Sequence, residues 1–283
     1  MSQSQNPVFE KIVQMTGDLP TMPHVASLVM QKVADPNATA RDLHEIISQD
    51  QAMTARILKI ANSPFYGSAR KVSQLTNAIV VMGFNAIRSL VMASALNDFL
   101  KSYGLIEKLL WEHSMGCAAL SKKIARLVRF SNIEEAFLAG LMHDIGKVVI
   151  NLKLPDKMRE VVQEVYYSPE LTFARVEQEI LGFDHAQVGR LVAGKWRFTD
   201  EMEEAIGCHI KPEEATILPA LAHIVHLANA FCHKLEIGPT RNRDLDIAAL
   251  NSAKMLKMDQ AAIDSLMEEM IQELQTYPNT FSI

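Results

Sequence analysis

Apolar residues recur every three or four positions along most of this 283-residue chain, which is the spacing of one face of a helix. Val25, Leu28, Val29 and Val33 form one such stripe, and residues 263–274 carry another. No segment shows the sustained alternation of apolar and polar residues that is typical of strands. The pattern therefore predicts an all-α protein.

Capping residues and glycines indicate where these helices begin and end. Thr39 and Asp184 are predicted N-caps, and Gly83 divides the apolar stretch 75–100 into two helices. A boundary near residues 102–104 separates an N-terminal lobe, residues 1–105, from a second lobe, residues 106–283. In the second lobe helices are predicted at about 106–129, 134–150, 156–167, 171–181, 185–196, 200–210, 217–236, 244–255 and 259–275.

Composition excludes several classes of protein. Hydrophobic residues make up 48% of the chain, which is enough for a substantial core. The net charge of −5, without a run of Lys or Arg, argues against broad binding to nucleic acid or to anionic lipid. The three cysteines lie in apolar helical stretches and are predicted to be reduced core residues. With no signal peptide and no apolar run of membrane-spanning length, the expected location is the cytoplasm.

The pair His143-Asp144 is the strongest chemical signal, because it ends the apolar run that begins at Phe137. A carboxylate is rarely buried unless it is paired or binds a metal. Three further histidines, His113, His185 and His209, lie on predicted inward faces of helices. One inward histidine is usually a satisfied core residue, but three of them with a His-Asp pair favour a metal site.

Such a set can be arranged around two ions. His113 and His143 would hold the first, and His185 and His209 the second, with Asp144 as a ligand or a bridge. Imidazole and carboxylate ligands suit Fe, Mn, Ni or Zn, so we expect one of these divalent metals, at partial occupancy.

Two further residues qualify this interpretation. Lys147, one turn beyond His143, either meets a phosphate oxygen or is a solvated lysine at a helix end. Asn229 lies where the last ligand is expected, and its neutral amide adds no charge, which should weaken metal binding. His226 and His233, which flank Asn229, are interpreted mainly as partly buried surface histidines.

Together these residues resemble the HD superfamily of metal-dependent phosphohydrolases. Within it, from about residue 17 to about residue 210, the chain is similar to the HDOD domain, the HD-related output domain of bacterial signalling proteins. The motifs that carry this similarity are Leu19-Pro20-Thr21-Met22-Pro23, Ile46-Ile47-Ser48-Gln49-Asp50, Ala61-Asn62-Ser63-Pro64-Phe65-Tyr66-Gly67 and Ala78-Ile79-Val80-Val81-Met82-Gly83.

The resemblance implies an N-terminal helical lobe packed on an HD-like helical bundle that continues into a C-terminal extension. It also implies that the metal ligands are incomplete. Ile210 stands in place of the second histidine of the tandem pair that His209 begins, and Asn229 replaces the closing aspartate of the HD pattern. The positions that match are His113, His143, Asp144, His185 and His209.

The resemblance favours a regulatory signal-transduction module without efficient catalysis. Its expected partner is a signalling protein acting in trans, and a small-molecule or nucleotide ligand fits the same interpretation. The alternative is an active metal-dependent phosphohydrolase that acts on a nucleotide or phosphodiester. A nucleic-acid-binding regulator is disfavoured by the acidic composition, and no membrane association is expected.

Overall fold

The computed structural model describes residues 7–62, 72–100, 104–168 and 170–276. Within these ranges the chain is helical and has no strand, which confirms the all-α prediction. None of the helices there combines the length and the hydropathy needed to cross a bilayer. The helices are α1 (Pro7–Thr16), α2 (His24–Val33), α3 (Ala40–Ile47), α4 (Gln51–Ala61), α5 (Leu75–Met82), α6 (Phe84–Phe99), α7 (Leu105–Leu127), α8 (Ile133–Met142), α9 (Ile145–Lys153), α10 (Pro155–Tyr167), α11 (Phe173–Ile180), α12 (His185–Lys195), α13 (Asp200–Cys208), α14 (Pro219–Lys234), α15 (Asn251–Met255) and α16 (Gln260–Thr276).

The chain forms two compact units. The larger consists of Met1–Thr21 and Ser102–Met267, and the smaller of Met22–Lys101 and Glu268–Ile283. The predicted lobes, 1–105 and 106–283, assign each terminus to the nearer half of the chain. The observed units instead group residues 1–21 with the second half of the chain and residues 268–283 with the first. The predicted division into two lobes stays a prediction.

In the smaller unit, α2, α4 and α5 pack against α6, and α3 packs against α2 and α5. Thr39 caps α3 as predicted, because its side chain accepts from the backbone N–H of Asp42 while the Asp42 carboxylate accepts from the N–H of Thr39. Arg56 ties α4 to α6 by donating to Ser94 Oγ at 2.7 Å and pairing with Asp98. These contacts fix the helix order around a core that includes Val29, Leu43, Ile57 and Leu90, all fully buried.

Gly83 separates α5 from α6, as the sequence predicts. Its backbone has φ +82°, a left-handed conformation that glycine adopts without strain. Asn62 ends α4, and its side-chain amide donates to the carbonyl oxygens of Leu58 and Val72 and accepts from the N–H of Val72. The remainder of the Asn62–Gly67 motif lies outside the described residues.

In the larger unit, α7 packs against both α8 and α14, while α12 packs against α9 and α13. Asp184 caps α12 through a reciprocal pair of hydrogen bonds with Gln187, so His185 is the first helical residue, as predicted. The predicted helix 244–255 is wrong in its first half, since only Asn251–Met255 is helical. There the Lys234 ammonium donates to the carbonyl oxygens of Arg243 and Leu245, which a continuous helix would need for its own hydrogen bonds.

Glu204 on α13 binds the backbone of the segment that leads into α14. Its carboxylate accepts from the backbone N–H groups of Thr216 at 2.6 Å, Ile217 at 2.8 Å and Leu218 at 3.0 Å. Burial opposes ionisation of this carboxyl, but the three N–H donors outweigh burial and lower its pKa below the ordinary value of 4.5. We expect Glu204→Gln to lower the free energy of unfolding at pH 7 by about 2 kcal/mol, as is typical of hydrogen bonds to a charged group.

The loss of unfolding free energy in Glu204→Gln should be larger at neutral pH than in acid. A carboxyl with a lowered folded-state pKa stabilises the protein above its unfolded-state pKa, and this contribution disappears as the pH falls through the folded-state value. Urea unfolding at several pH values would therefore show the two proteins converging in acid. Glu201→Gln, on the same helix, is the matched control and should change little. A pH-independent difference would show that packing, and not the charge, explains the effect.

Candidate metal centre

The centre of the site is the Asp144 carboxylate, which is only 1% exposed. A single helix over 134–150 was predicted, and this prediction is wrong, because α8 ends at Met142 and α9 begins at Ile145. On a continuous helix neighbouring side chains diverge by about 100°. The break at His143-Asp144 lets both side chains reach the same point.

Two groups of donors face opposite oxygens of this carboxylate, and we call them the first and the second pole. The first pole consists of Asp144 Oδ2 with His113 Nε2 at 3.4 Å and His143 Nε2 at 3.5 Å. The second pole consists of Asp144 Oδ1 with His185 Nε2 at 3.4 Å and His209 Nε2 at 3.7 Å. Five of the six candidate ligands that sequence analysis selected, all but Asn229, are therefore neighbours around Asp144 in the larger unit.

Each imidazole is oriented by a hydrogen bond from its other nitrogen. Carbonyl and carboxylate oxygens only accept hydrogen bonds, so the proton must lie on Nδ1, which leaves Nε2 as the atom that faces Asp144. Sequence analysis did not identify these acceptors. They are Ile237 O for His113 at 2.9 Å, Gly140 O for His143 at 2.7 Å, Glu177 Oε2 for His185 at 2.6 Å and Ile206 O for His209 at 2.7 Å.

The protonation of the cluster follows from burial and from the central charge. Burial lowers the pKa of His113 to about 4, so this imidazole is neutral at pH 7. Burial also disfavours the charged form of His143, but the adjacent Asp144 carboxylate prevails and raises the pKa of His143 to about 9. The cationic neighbours of Asp144, His143 and Lys147 foremost, outweigh its burial and hold its pKa well below the usual range. A cation bound by His143 would therefore have to displace a proton.

Lys147 is part of the centre and is not a solvated lysine at a helix end. Its side chain is buried, and its ammonium donates to Asp144 Oδ2 at 2.8 Å. The same ammonium lies 4.7 Å from the centre of the Phe173 ring, a favourable cation–π distance. Lys147 therefore supplies a positive charge inside the cluster.

Helix α14 brings two more polar side chains to the site. Asn229 Oδ1 and His233 Nε2 are both buried and have no hydrogen-bond partner within the described part of the chain. The His233 ring stacks on His113, with 5.6 Å between ring centres. Sequence analysis interpreted His233 mainly as a partly buried surface histidine, and its intermediate burial agrees. The contact with His113 was not predicted, although the spacing of four residues from Asn229 places both side chains on one face of the helix.

A pocket of about 850 Å³ in the larger unit opens onto these residues. Its wall includes Lys147, His185, Asn229 and His233 from the centre. Apolar side chains such as Phe173 line other parts of the wall. Cations outnumber carboxylates there; the cations are Lys147, Arg175, Lys211 and Arg241, and the carboxylates are Glu170, Glu179 and Asp184. Lys147 pairs with Asp144 and Arg175 pairs with Glu179, so the surplus of positive charge is small. The volume suits an organic ligand of small-molecule size.

The donor set fits a divalent metal ion. Ligands that bind one ion at about 2.0–2.2 Å lie roughly 3–3.5 Å from one another, and the distances in both poles are close to this value. At the second pole, His185 Nε2 and His209 Nε2 are 3.2 Å apart. The buried atoms His113 Nε2, His143 Nε2 and Asp144 Oδ1 have no hydrogen-bond partner in the described residues, so a cation would satisfy them. Nitrogen and oxygen donors do not select one metal.

Solved structures share this fold. A protein of Geobacter sulfurreducens, described as an HDOD domain protein with unknown function, is 26% identical, with a TM-score of 0.79 over 96% of this chain and 94% of that one. A proposed signal-transduction protein of Marinobacter aquaeolei VT8 is 20% identical, with a TM-score of 0.78 over 100% of this chain and 66% of that one. A proposed phosphohydrolase of Shewanella amazonensis SB2B is 23% identical, with a TM-score of 0.67 over 93% and 98% of the two chains. At these identities the last two show the fold alone.

Sequence comparison identifies the family. An uncharacterized protein of Treponema pallidum (strain Nichols) is 22% identical over 202 residues, which are 70% of this chain but only 39% of that protein. The family model described as HDOD domain matches residues 19–212. The match includes four histidines of the two poles and ends before α14, so Asn229 and His233 lie beyond it. The chain belongs to the HDOD domain family.

Proposed function

We propose that this protein is a signal-transduction module in which the metal centre and the adjoining pocket bind a small organic anion, without efficient hydrolysis. The observation that carries the proposal is the charge balance at Asp144. This carboxylate is shared by both poles, and one of its oxygens already pairs with the buried Lys147. Asn229 adds a second oxygen without charge. Two divalent ions would thus face very little negative charge.

The candidate metal ligands are His113, His143, Asp144, His185 and His209, which form two groups that share Asp144, with Asn229 as a further candidate. A bound divalent ion would supply Lewis acidity toward a phosphoryl or carboxylate oxygen. The chain itself supplies the remaining recognition: Arg241 and Lys211 attract an anion at the pocket wall, and Phe173 offers a face for its organic part. A signalling protein that acts in trans would sense the occupied state.

A metal-dependent phosphohydrolase is the second candidate. It is favoured by the position of Asp144, which directs one oxygen toward each pole, as a carboxylate that bridges two ions does. It is also favoured by the shared fold with Shewanella proteins described as proposed phosphohydrolases. The same shortage of negative charge argues against it.

Elemental analysis and a phosphodiester assay on one purified sample would separate the two candidates. We expect less than one equivalent of Fe, Mn, Ni or Zn per chain and little or no hydrolysis of bis(p-nitrophenyl) phosphate. Asn229→Asp should tighten metal binding by about tenfold or more, because it adds a carboxylate beside the cluster.

Robust turnover with added metal that disappears in Asp144→Ala would overturn the signalling proposal in favour of the phosphohydrolase. Unchanged metal affinity in Asn229→Asp would show that this side chain does not face the ion. Asn242→Asp, at another position on the pocket wall, is the matched control for the added charge.

A further inference from the structure

The two poles of the metal centre differ in the charges that surround them. The shared carboxylate gives each pole one oxygen, and each pole has two imidazoles. Lys147 pairs with the carboxylate oxygen of the first pole, and Glu177 pairs with a histidine of the second. This asymmetry bears on how many ions the centre can hold and where they bind.

The first pole contains a cation that the chain itself supplies, the ammonium of Lys147. Lys147 Nζ lies 2.8 Å from Asp144 Oδ2, the oxygen that faces His113 and His143. Lys147 as a whole is only 3% exposed, so little water screens its charge. Its place over the Phe173 ring and its position one turn beyond Asp144 hold it there. A divalent ion at this pole would face a positive charge across the same carboxylate oxygen.

The second pole contains an additional anion. Glu177 is fully buried, and its Oε2 accepts from both Nδ1 and the backbone N–H of His185. A carboxylate behind a ligating imidazole makes the other nitrogen a stronger donor and adds negative charge near the ion. At the first pole, by contrast, the Nδ1 atoms of His113 and His143 donate to neutral carbonyl oxygens, those of Ile237 and Gly140.

We propose that the centre binds a single divalent transition-metal ion at the second pole, on His185, His209 and Asp144 Oδ1, and that the Lys147 ammonium takes the place of a second ion at the first pole. This inference rests on the proposed metal-binding function and specifies its stoichiometry. The close approach of His185 Nε2 and His209 Nε2, 3.2 Å, matches two ligands of one ion. His113 and His143 then hold Asp144 in position from the opposite side.

The test is a metal titration of the full chain after removal of metal with a chelator. Zn²⁺ and Mn²⁺ alone are added, and binding is followed by calorimetry and by elemental analysis after dialysis. We expect saturation at one ion per chain. His209→Ala should weaken binding by about 100-fold or more, whereas His113→Ala should retain the ion and change its dissociation constant by about threefold or less.

Lys147→Met tests the built-in cation directly, because methionine keeps most of the length of the side chain and removes its charge. We expect this variant to bind two ions per chain, while Lys153→Met, an exposed lysine on the same helix, still binds one. If Lys147→Met does not fold, the electron paramagnetic resonance spectrum of Mn²⁺ in the unaltered protein decides. One isolated ion supports the proposal, and a spin-coupled pair overturns it.

The outcomes separate this inference from the proposed function. Loss of the ion in His113→Ala with retention in His209→Ala would overturn the assignment to the second pole but leave metal binding intact. Two ions in the unaltered protein would overturn the role of Lys147. No binding of either metal at millimolar concentration would overturn the metal-binding function itself, and this inference with it.

Discussion

Gly146→Ala is expected to destabilise the larger unit by about 3 kcal/mol and to abolish metal binding. An added Cβ at this position would lie 1.9 Å from the carbonyl oxygen of His185 and 2.9 Å from the backbone nitrogen of Gly189. Both atoms belong to the backbone of α12, which cannot rotate away as a side chain can. Helices α9 and α12 would have to separate, and overpacking of this kind costs about 1–3 kcal/mol or more.

The same separation would disturb the metal centre, because Asp144 precedes α9 and His185 begins α12. Urea unfolding and Zn²⁺ calorimetry would measure the two effects. Gly207→Ala is the matched control, since the three atoms nearest to its Cβ would belong to the side chain of Arg190, which is partly exposed and can shift. An unfolding midpoint for Gly146→Ala equal to that of Gly207→Ala would contradict the proposed close packing.

The local part of the fold could be predicted from the sequence. Capping side chains act on backbone groups only a few residues away, so the starts of α3 at Thr39 and α12 at Asp184 follow from spacing alone. Gly83 likewise marks a break that its own backbone conformation explains. The all-α class follows from the period of the apolar positions.

The break at His143-Asp144 could not be predicted in this way. No proline or capping residue with a local hydrogen bond marks it, and the Asp144 side chain makes no cap. The interruption is instead stabilised by contacts from distant elements, such as His113 on α7 and His185 on α12. Local sequence carries no record of these contacts.

The candidate site could likewise be predicted only in part from the sequence. Inward spacing selected the histidines, and the structure brings their Nε2 atoms together around Asp144. Their orientation depends on acceptors far along the chain, such as Ile237, which is 124 residues from His113. Sequence analysis did not select Glu177, which is fully buried and accepts a hydrogen bond from His185. The spacing of residues cannot show which distant group completes a hydrogen bond.

Asp144→Asn is expected to lower the free energy of unfolding of the metal-free protein by about 3–5 kcal/mol. The substitution preserves the size of the side chain but leaves the Lys147 ammonium buried without its carboxylate, and an uncompensated buried charge costs about this much. Removing both charges should be milder than removing the carboxylate alone. The double variant Asp144→Asn/Lys147→Met is therefore expected to recover about 2 kcal/mol, measured by urea unfolding in the presence of a chelator.

The chain offers a control with the same spacing. Asp156 and Arg159 form a pair three residues apart at the start of α10, as Asp144 and Lys147 do, but both are exposed. Water screens such a pair, so Asp156→Asn should change stability much less than Asp144→Asn. If the effects of Asp144→Asn and Lys147→Met simply add in the double variant, the two charges are not coupled. Lys147 would then not balance the central carboxylate, and the single-ion assignment would lose its physical basis.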